Sequence, residues 1–235
     1  MVIDRDMAIH ARGLSKEFGR HVVLRAVDFH ATVGESIGLA GANGAGKTTL
    51  LRCLALAMRP TAGEVYWFGR PAARAPVMRR MIGMVAHEHC LYSHLTLREN
   101  LMFAARMCGV RHPARRADAW LECTGLAGRA TCRPGQISRG MQQRLAVARA
   151  LVHDPQILFL DEPFAGLDAE GTEWLMALLL DLRQRGRTIC FASHDEARTR
   201  RLADRALVLR SGRLHPLPAD LDASAREVAL GTRAA

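Results

Sequence analysis

Nowhere in the 235 residues is there an apolar run long enough to cross a bilayer, which takes roughly 18–20 residues in a helix. The longest candidate, Leu175 to Leu182, is interrupted by Asp181 and reads as helix core. Met1 to Arg12 carries charges where a secretory leader needs an apolar stretch. Any membrane role therefore has to come through a partner. Six cysteines are present (Cys53, Cys90, Cys108, Cys123, Cys132 and Cys190), but none forms a CxxC pair and no histidine spacing suggests zinc. They read as reduced, mostly buried thiols of a cytosolic protein. Aromatic residues are only 5 % of the chain, too few for the stacking surfaces of a nucleic-acid module. No internal repeat is visible.

What is present is ordinary globular material, with 49 % hydrophobic and 24 % charged residues. The formal net charge of +10 comes mostly from arginine. It suits nucleic acid, nucleotide or an anionic membrane face; equally, a high-GC genome writes arginine for lysine, and arginine is spread along the whole chain.

Residues 22–33 alternate, which predicts a half-buried strand with Val23, Val27, Phe29, Ala31 and Val33 on one face. Glu35 to Ala40 is a short strand running into a glycine-rich turn, and a helix follows over Lys47 to Ala57. Glu64 to Phe68 is a further strand. Leu97, Leu101, Ala104, Ala105 and Cys108 recur at helical spacing, and residues from about 88 to 152 read as all-helical. Strands return at Ile157 to Leu160, Thr188 to Ala192 and Ala206 to Leu209, separated by helices at about 170–185 and 195–203. Such alternation means a mostly parallel sheet covered by helices. The tail from Pro216 is rich in alanine and arginine and has no assigned role.

Residues 41–48 read Gly-Ala-Asn-Gly-Ala-Gly-Lys-Thr, the G-x-x-x-x-G-K-[ST] pattern of a phosphate loop. Gly41, Gly44 and Gly46 let backbone N–H groups curl around phosphate oxygens. The helix that starts there adds its positive end. Lys47 neutralises phosphate charge, and the Thr48 hydroxyl suits Mg²⁺. Ile157-Leu158-Phe159-Leu160 is a continuous apolar run that delivers Asp161 and Glu162 at its C-terminal end, where ligands sit in open α/β sheets. Asp161 suits the hydration shell of Mg²⁺, and Glu162 can polarise a water attacking the γ-phosphorus. Without the phosphate loop this pair would read as a helix cap and a solvated acid.

Together these segments resemble the nucleotide-binding subunit of ABC transporters, over nearly the whole chain up to about Gly212. Ile137-Ser138-Arg139-Gly140-Met141 resembles the signature motif, usually Leu-Ser-Gly-Gly-Gln, and is followed by Gln142-Gln143-Arg144. Ala165-Gly166-Leu167-Asp168 resembles the D-loop, His194 the switch histidine, and Phe18 the aromatic that stacks on adenine. The resemblance implies a P-loop NTPase fold: an α/β, RecA-like parallel-sheet core with an N-terminal antiparallel β portion and an inserted helical lobe. It implies one domain over residues 1–215, with the lobe at about 88–152, and a tail over 216–235.

The function implied is hydrolysis of ATP with Mg²⁺. Phe18, Gly41, Asn43, Gly44, Gly46, Lys47, Thr48, Thr49, Asp161 and Asp168 would serve the nucleotide. Ser138 and Gly140 would reach it from a second copy in a head-to-tail homodimer, and Glu162 and His194 would be catalytic. Integral-membrane subunits would be the further partners, placing the chain at the cytoplasmic face of the cell membrane with no nucleic acid involved. Ser138 is itself a good N-cap, so the helix behind it offers a second anion site.

Three positions depart from the usual pattern: Arg139 and Met141 in the signature, and His87 where a glutamine normally contacts Mg²⁺ and the attacking water. His87 can accept from water or ligate a metal, with a shorter reach; alternatively it packs, and Glu88 or His89 takes the role. His87, the Ser-Arg-Gly-Met run and residues 161–168 are similar to the ATP-binding subunits of the haem exporter of cytochrome c maturation. Subunits of drug or polymer exporters share some of these features. A soluble ABC-type ATPase acting on nucleic acid or ribosomes, and a regulatory module that binds ATP without hydrolysis, are the other classes; the single cassette argues against the first and Glu162 against the second.

Overall fold

Two sheets share one helix between them. The computed structural model describes residues 6–74, 76–86 and 90–217. β1 (Met7–Phe18) and β2 (His21–Thr32) form a long antiparallel hairpin, joined by β4 (Ala62–Trp67) and the short β5 (Arg70–Pro71), in the order β2-β1-β4-β5. The second sheet has the order β10-β9-β3-β8-β7-β6. Its strands are β3 (Ser36–Ala40), β6 (Ile82–Val85), β7 (Ile157–Asp161), β8 (Thr188–Ala192), β9 (Arg205–Arg210) and β10 (Arg213–Pro216). All its pairings are parallel except β10 with β9 at one edge.

The hairpin departs from the expected alternation. Ala26 adopts a left-handed φ of 45°, and the burial phase slips there. Leu24 faces inward before it and Val27, Phe29 and Ala31 after it, while Val33 is half exposed. Val23 is only partly buried. A single face from Val23 to Val33 therefore does not exist. β1, which alternation alone does not disclose, is broken by register shifts between Ala11 and Lys16.

Between the sheets lies α1 (Lys47–Leu54). Its Leu50, Leu51, Cys53 and Leu54 pack with Ile9, Phe29 and Trp67 of the first sheet and with Ile157, Phe159, Cys190 and Ala192 of the second. The Trp67 indole N–H donates to the Leu54 carbonyl at 3.0 Å. The alternate residues of the same strands, Leu158, Leu160, Ile189 and Phe191, face the opposite way. There they pack on α4 (Arg139–Leu151), α5 (Ala169–Gln184) and Leu202 of α6 (Glu196–Leu202). Burial on both faces explains why β7 and β8 read as unbroken apolar runs.

The stretch expected to be all-helical contains α2 (Leu97–Met107) and α3 (Pro113–Cys123), two single 3₁₀ turns, and α4. α2 begins with a reciprocal Thr96–Glu99 capping box, and Pro113 occupies the first turn of α3. Leu97, Leu101, Ala117, Leu121 and Ile137 form a separate small core, closed by Leu145 and Ala148 of α4. α4 thus belongs to both the lobe and the sheet. Of the cysteines, only Cys53 and Cys190 are buried; Cys90 and Cys123 are exposed, correcting the expectation of mostly buried thiols. Burial pushes the Cys53 thiol up to about 11, which keeps it protonated and unreactive. The tail beyond Leu217 lies outside the described residues. Among the described residues no helix is long and apolar enough to cross a membrane.

Candidate active site

β3, β8 and β7 are consecutive parallel neighbours, so the segments leaving their C-terminal ends emerge side by side. The first gives the turn at residues 41–46, the second Ser193 and His194, the third Asp161 and Glu162.

The turn after β3 is built for close approach. Gly41 has φ of 144°, and a Cβ there would stand 2.6 Å from the Leu209 carbonyl oxygen; Gly46 has φ of 102°, and a Cβ would stand 2.7 Å from the Val23 side chain. Neither position admits another residue without movement. Gly46 is the N-cap of α1, no side chain caps it, and no acid lies in the first turn. The uncapped N–H groups and the helix dipole are therefore free to meet an anion. Asn43 and Gly44 are exposed on the turn, and Thr48 and Thr49 sit half-buried in the first helical turn. Lys47 is 7 % exposed. Its ammonium donates to the carbonyls of Gly41 at 2.7 Å and Ala42 at 3.1 Å. Burial lowers its pKa, opposed by the charges of Glu162 and Asp161.

Asp161 closes β7 and is 2 % exposed, yet its Oδ2 has no hydrogen-bond partner. A buried carboxylate oxygen left open needs a donor or a cation, so the residue fits a hydrated Mg²⁺. Glu162 follows with a left-handed φ of 49°, a conformation costing about 1–3 kcal/mol in a non-glycine residue. Its N–H donates to the Ala192 carbonyl at 3.1 Å. His194 Nε2 lies 3.0 Å from Glu162 Oε1, within ion-pair range although Oε1 receives no aligned hydrogen bond. Burial raises the Glu162 pKa; His194 and Lys47 pull it down less strongly, and Asp161 adds to the rise. Lys47, Asp161, Glu162 and His194 thus act on one another as a single electrostatic cluster.

The other expected residues stand elsewhere. Ser138 is the N-cap of α4, its hydroxyl accepting the Met141 N–H at 3.3 Å. Asp168 caps α5 through the Gly171 N–H at 2.7 Å and lies 3.7 Å from Arg144. A Cβ on Gly140 would stand 3.0 Å from the Gly166 carbonyl oxygen, so the start of α4 rests on the D-loop-like turn. Phe18 ends β1 with 48 % of its surface exposed, and the Lys16 ammonium lies 5.0 Å from its ring centre. No described hydrogen bond or ion pair joins Ser138, Gly140 or Phe18 to the Lys47–Glu162 cluster. His87 lies outside the described residues, as do Glu88 and His89.

One residue enters the motif reading only as part of the run after the signature, with no role of its own. Gln143, 2 % exposed, donates from Nε2 to the Pro163 carbonyl at 2.5 Å. The sequence does carry a signal for it: Gln143 shares a helix face with the apolar Ala146 and Val147, and a polar side chain buried there has to find a partner.

Comparison with known proteins shows the family. A family model described as ABC transporter matches residues 24–165. The chain is 39 % identical over 216 residues to a sulfate/thiosulfate import ATP-binding protein of Mycolicibacterium paratuberculosis, covering 90 % of this chain and 59 % of that protein. It is 39 % identical over 208 residues to the Nod factor export ATP-binding protein I of Burkholderia orbicola, covering 87 % and 68 % respectively. Among solved structures, a dimeric ATP-binding cassette in a post-hydrolysis state bound to ADP and Pi superposes with a TM-score of 0.81 at 28 % identity, over 90 % of this chain and 99 % of that one. The ATP-binding subunit of an ABC transporter gives 0.82 at 29 %, over 95 % and 94 %. The chain spans about three-fifths of the length of the sulfate/thiosulfate relatives, 58 to 62 %.

Proposed function

The chain belongs to the ABC transporter family and has the fold of its ATPase domain, and we propose that it is the subunit that binds and hydrolyses MgATP to drive a membrane partner. The observation that carries this reading is the cluster of Lys47, Asp161, Glu162 and His194 beside an uncapped helix start. Residues 41–49 cradle the phosphates, with Lys47 exchanging its two carbonyl bonds for phosphate oxygens. Thr48 and Asp161 would hold Mg²⁺, a role the sequence extends to His87, and the ion would neutralise charge at the β- and γ-phosphates. Glu162 takes the proton of the attacking water; burial raises its proton affinity and so strengthens it as a base. His194 holds that carboxylate from the neighbouring strand. Phe18 stacks on adenine.

Ser138 and Gly140 complete the site of a second copy, as the exposed, serine-capped start of α4 has no acid in its first turn. Asp168, which caps α5 and lies beside Arg144 of α4, serves the nucleotide as well. Closure of two copies around ATP and their release after hydrolysis is the motion a membrane partner feels. Residues 1–215 act as one such ATPase domain at the cytoplasmic face of the membrane. The test is release of phosphate from MgATP by the purified chain, alone and with the membrane subunits that co-purify from detergent extracts. Inertness in both settings overturns the reading.

As the transporter served, the haem exporter of cytochrome c maturation is supported by Arg139 and Met141 in the signature run, by residues 161–168 and by His87. The relatives named above serve sulfate/thiosulfate import and Nod factor export, so overall similarity does not select one cargo. A strain lacking this chain should lose c-type cytochromes and keep sulfate uptake; the reverse outcome assigns an importer.

A further inference from the structure

α4 holds the segment that follows Glu162 at four places. Arg139 lays its side-chain stem against Gly166, Gly140 meets the Gly166 carbonyl, Gln143 bonds the Pro163 carbonyl, and Arg144 stands beside Asp168. Positions 139, 140, 143 and 144 share one face of a helix. The four contacts differ in kind. Arg139 is exposed, and Arg144 meets an Asp168 side chain that is 75 % exposed, so solvent screens that pair. Gln143 is buried, and its amide is aimed at the carbonyl of the residue directly after Glu162.

That neighbouring residue matters because Glu162 is held against its preference. Its φ is 49°, and a residue that precedes proline is pushed towards extended backbone. Such a conformation persists only where the surroundings over-determine it. From the strand side the fixing bond is the Glu162 N–H to Ala192. From the helix side it is the Gln143 amide, the described side-chain hydrogen bond to Pro163.

We propose that Gln143 is a positioning residue for ATP hydrolysis: from α4 it fixes the Pro163 carbonyl and thereby the turn that aims the Glu162 carboxylate. The inference rests on Glu162 being the base. It also gives the first turns of α4 a route to the reacting centre within the same chain, since the serine-capped start of the helix and Gln143 move as one rigid element.

The test is Gln143→Met, which keeps the length and bulk of the side chain and removes the donor. The kcat for MgATP should fall about ten-fold or more, the usual scale of a misplaced catalytic group. The KM for ATP and ATP-driven dimerisation in the Glu162→Gln background should stay at their parent values, while the thermal midpoint drops only by the few degrees that one stranded carbonyl costs. Gln143→Leu, apolar and close in size, gives the same answer if the methionine variant does not fold. Wild-type kcat in a folded variant overturns the proposal, and so does a parallel fall in kcat, ATP affinity and thermal midpoint, which marks packing alone. Glu162→Gln is the control: if it turns over normally, the assignment of the base fails; if it is inactive while Gln143→Met is normal, only the role of Gln143 fails.

Discussion

The imidazole Nε2 of His194 stands 3.0 Å from Oε1 of Glu162, each just past the end of one of two adjacent parallel strands. The Glu162 side chain is largely buried at 19 % exposure, whereas that of His194 is half exposed at 53 %. The acid therefore feels desolvation, and the histidine beside it favours the ionised form.

Glu162→Gln keeps the shape of this arrangement and removes the base. Turnover should fall by about 10²–10⁴-fold, while ATP binding and ATP-driven dimerisation persist. Phosphate release and size-exclusion chromatography with and without ATP check both halves.

The same pair sets a pH dependence. Because burial raises the Glu162 pKa, the acid limb of the kcat profile should lie above the ordinary carboxylate range. His194 pulls that pKa down, so His194→Ala should move the limb further towards neutral pH. The linkage to stability has the matching sign. A carboxyl with a raised folded pKa stabilises fully below its unfolded value, and that contribution is lost as pH rises through the folded value. Glu162→Gln should therefore raise the thermal midpoint at neutral pH and leave it unchanged near pH ~4. Equal midpoints at both pH values would count against a strained, buried carboxylate.

Lys47→Ala removes the buried ammonium of the phosphate turn. A charge-assisted bond of about 1.5–3 kcal/mol corresponds to a loss in ATP affinity of about ten- to a hundred-fold. Titration of a fluorescent ATP analogue reads this directly, and unchanged affinity would place the nucleotide elsewhere.

Trp67 ties the antiparallel sheet to α1 through the Leu54 carbonyl and is fully buried. Trp67→Ala should destabilise by about 3–5 kcal/mol. Trp67→Phe keeps much of the ring but strands the carbonyl, at about 1–3 kcal/mol. Denaturant unfolding separates the two values.

The chemistry-bearing segments were legible because chemistry restricts them: a phosphate turn needs its glycines at fixed positions, and a doubly covered strand must be apolar throughout. The parallel order of the second sheet followed from the alternation of strands and helices. β1 was not legible, since the register shifts around Gly13 destroy the period-two signal. In β2 the slip at Ala26 misassigned Val23, and Val33 falls past the end of the strand. Within the helical lobe the connections carry two short 3₁₀ turns, which the spacing of apolar residues does not mark. Gln143 was quoted without a role because its partner is a backbone carbonyl, and the identity of such a partner carries no mark in a sequence. Gly140 was read for what it offers a second copy and Arg139 as a departure from the signature, and their contact with Gly166 emerges only from the fold.

The slip at Ala26 divides β2 into two stretches whose side chains alternate out of step. Leu24 stands an odd number of residues from each of Val27, Phe29 and Ala31, so in unbroken extended backbone one of the two groups would face water. The left-handed turn at Ala26 is what lets both stretches bury their apolar side chains against the same core.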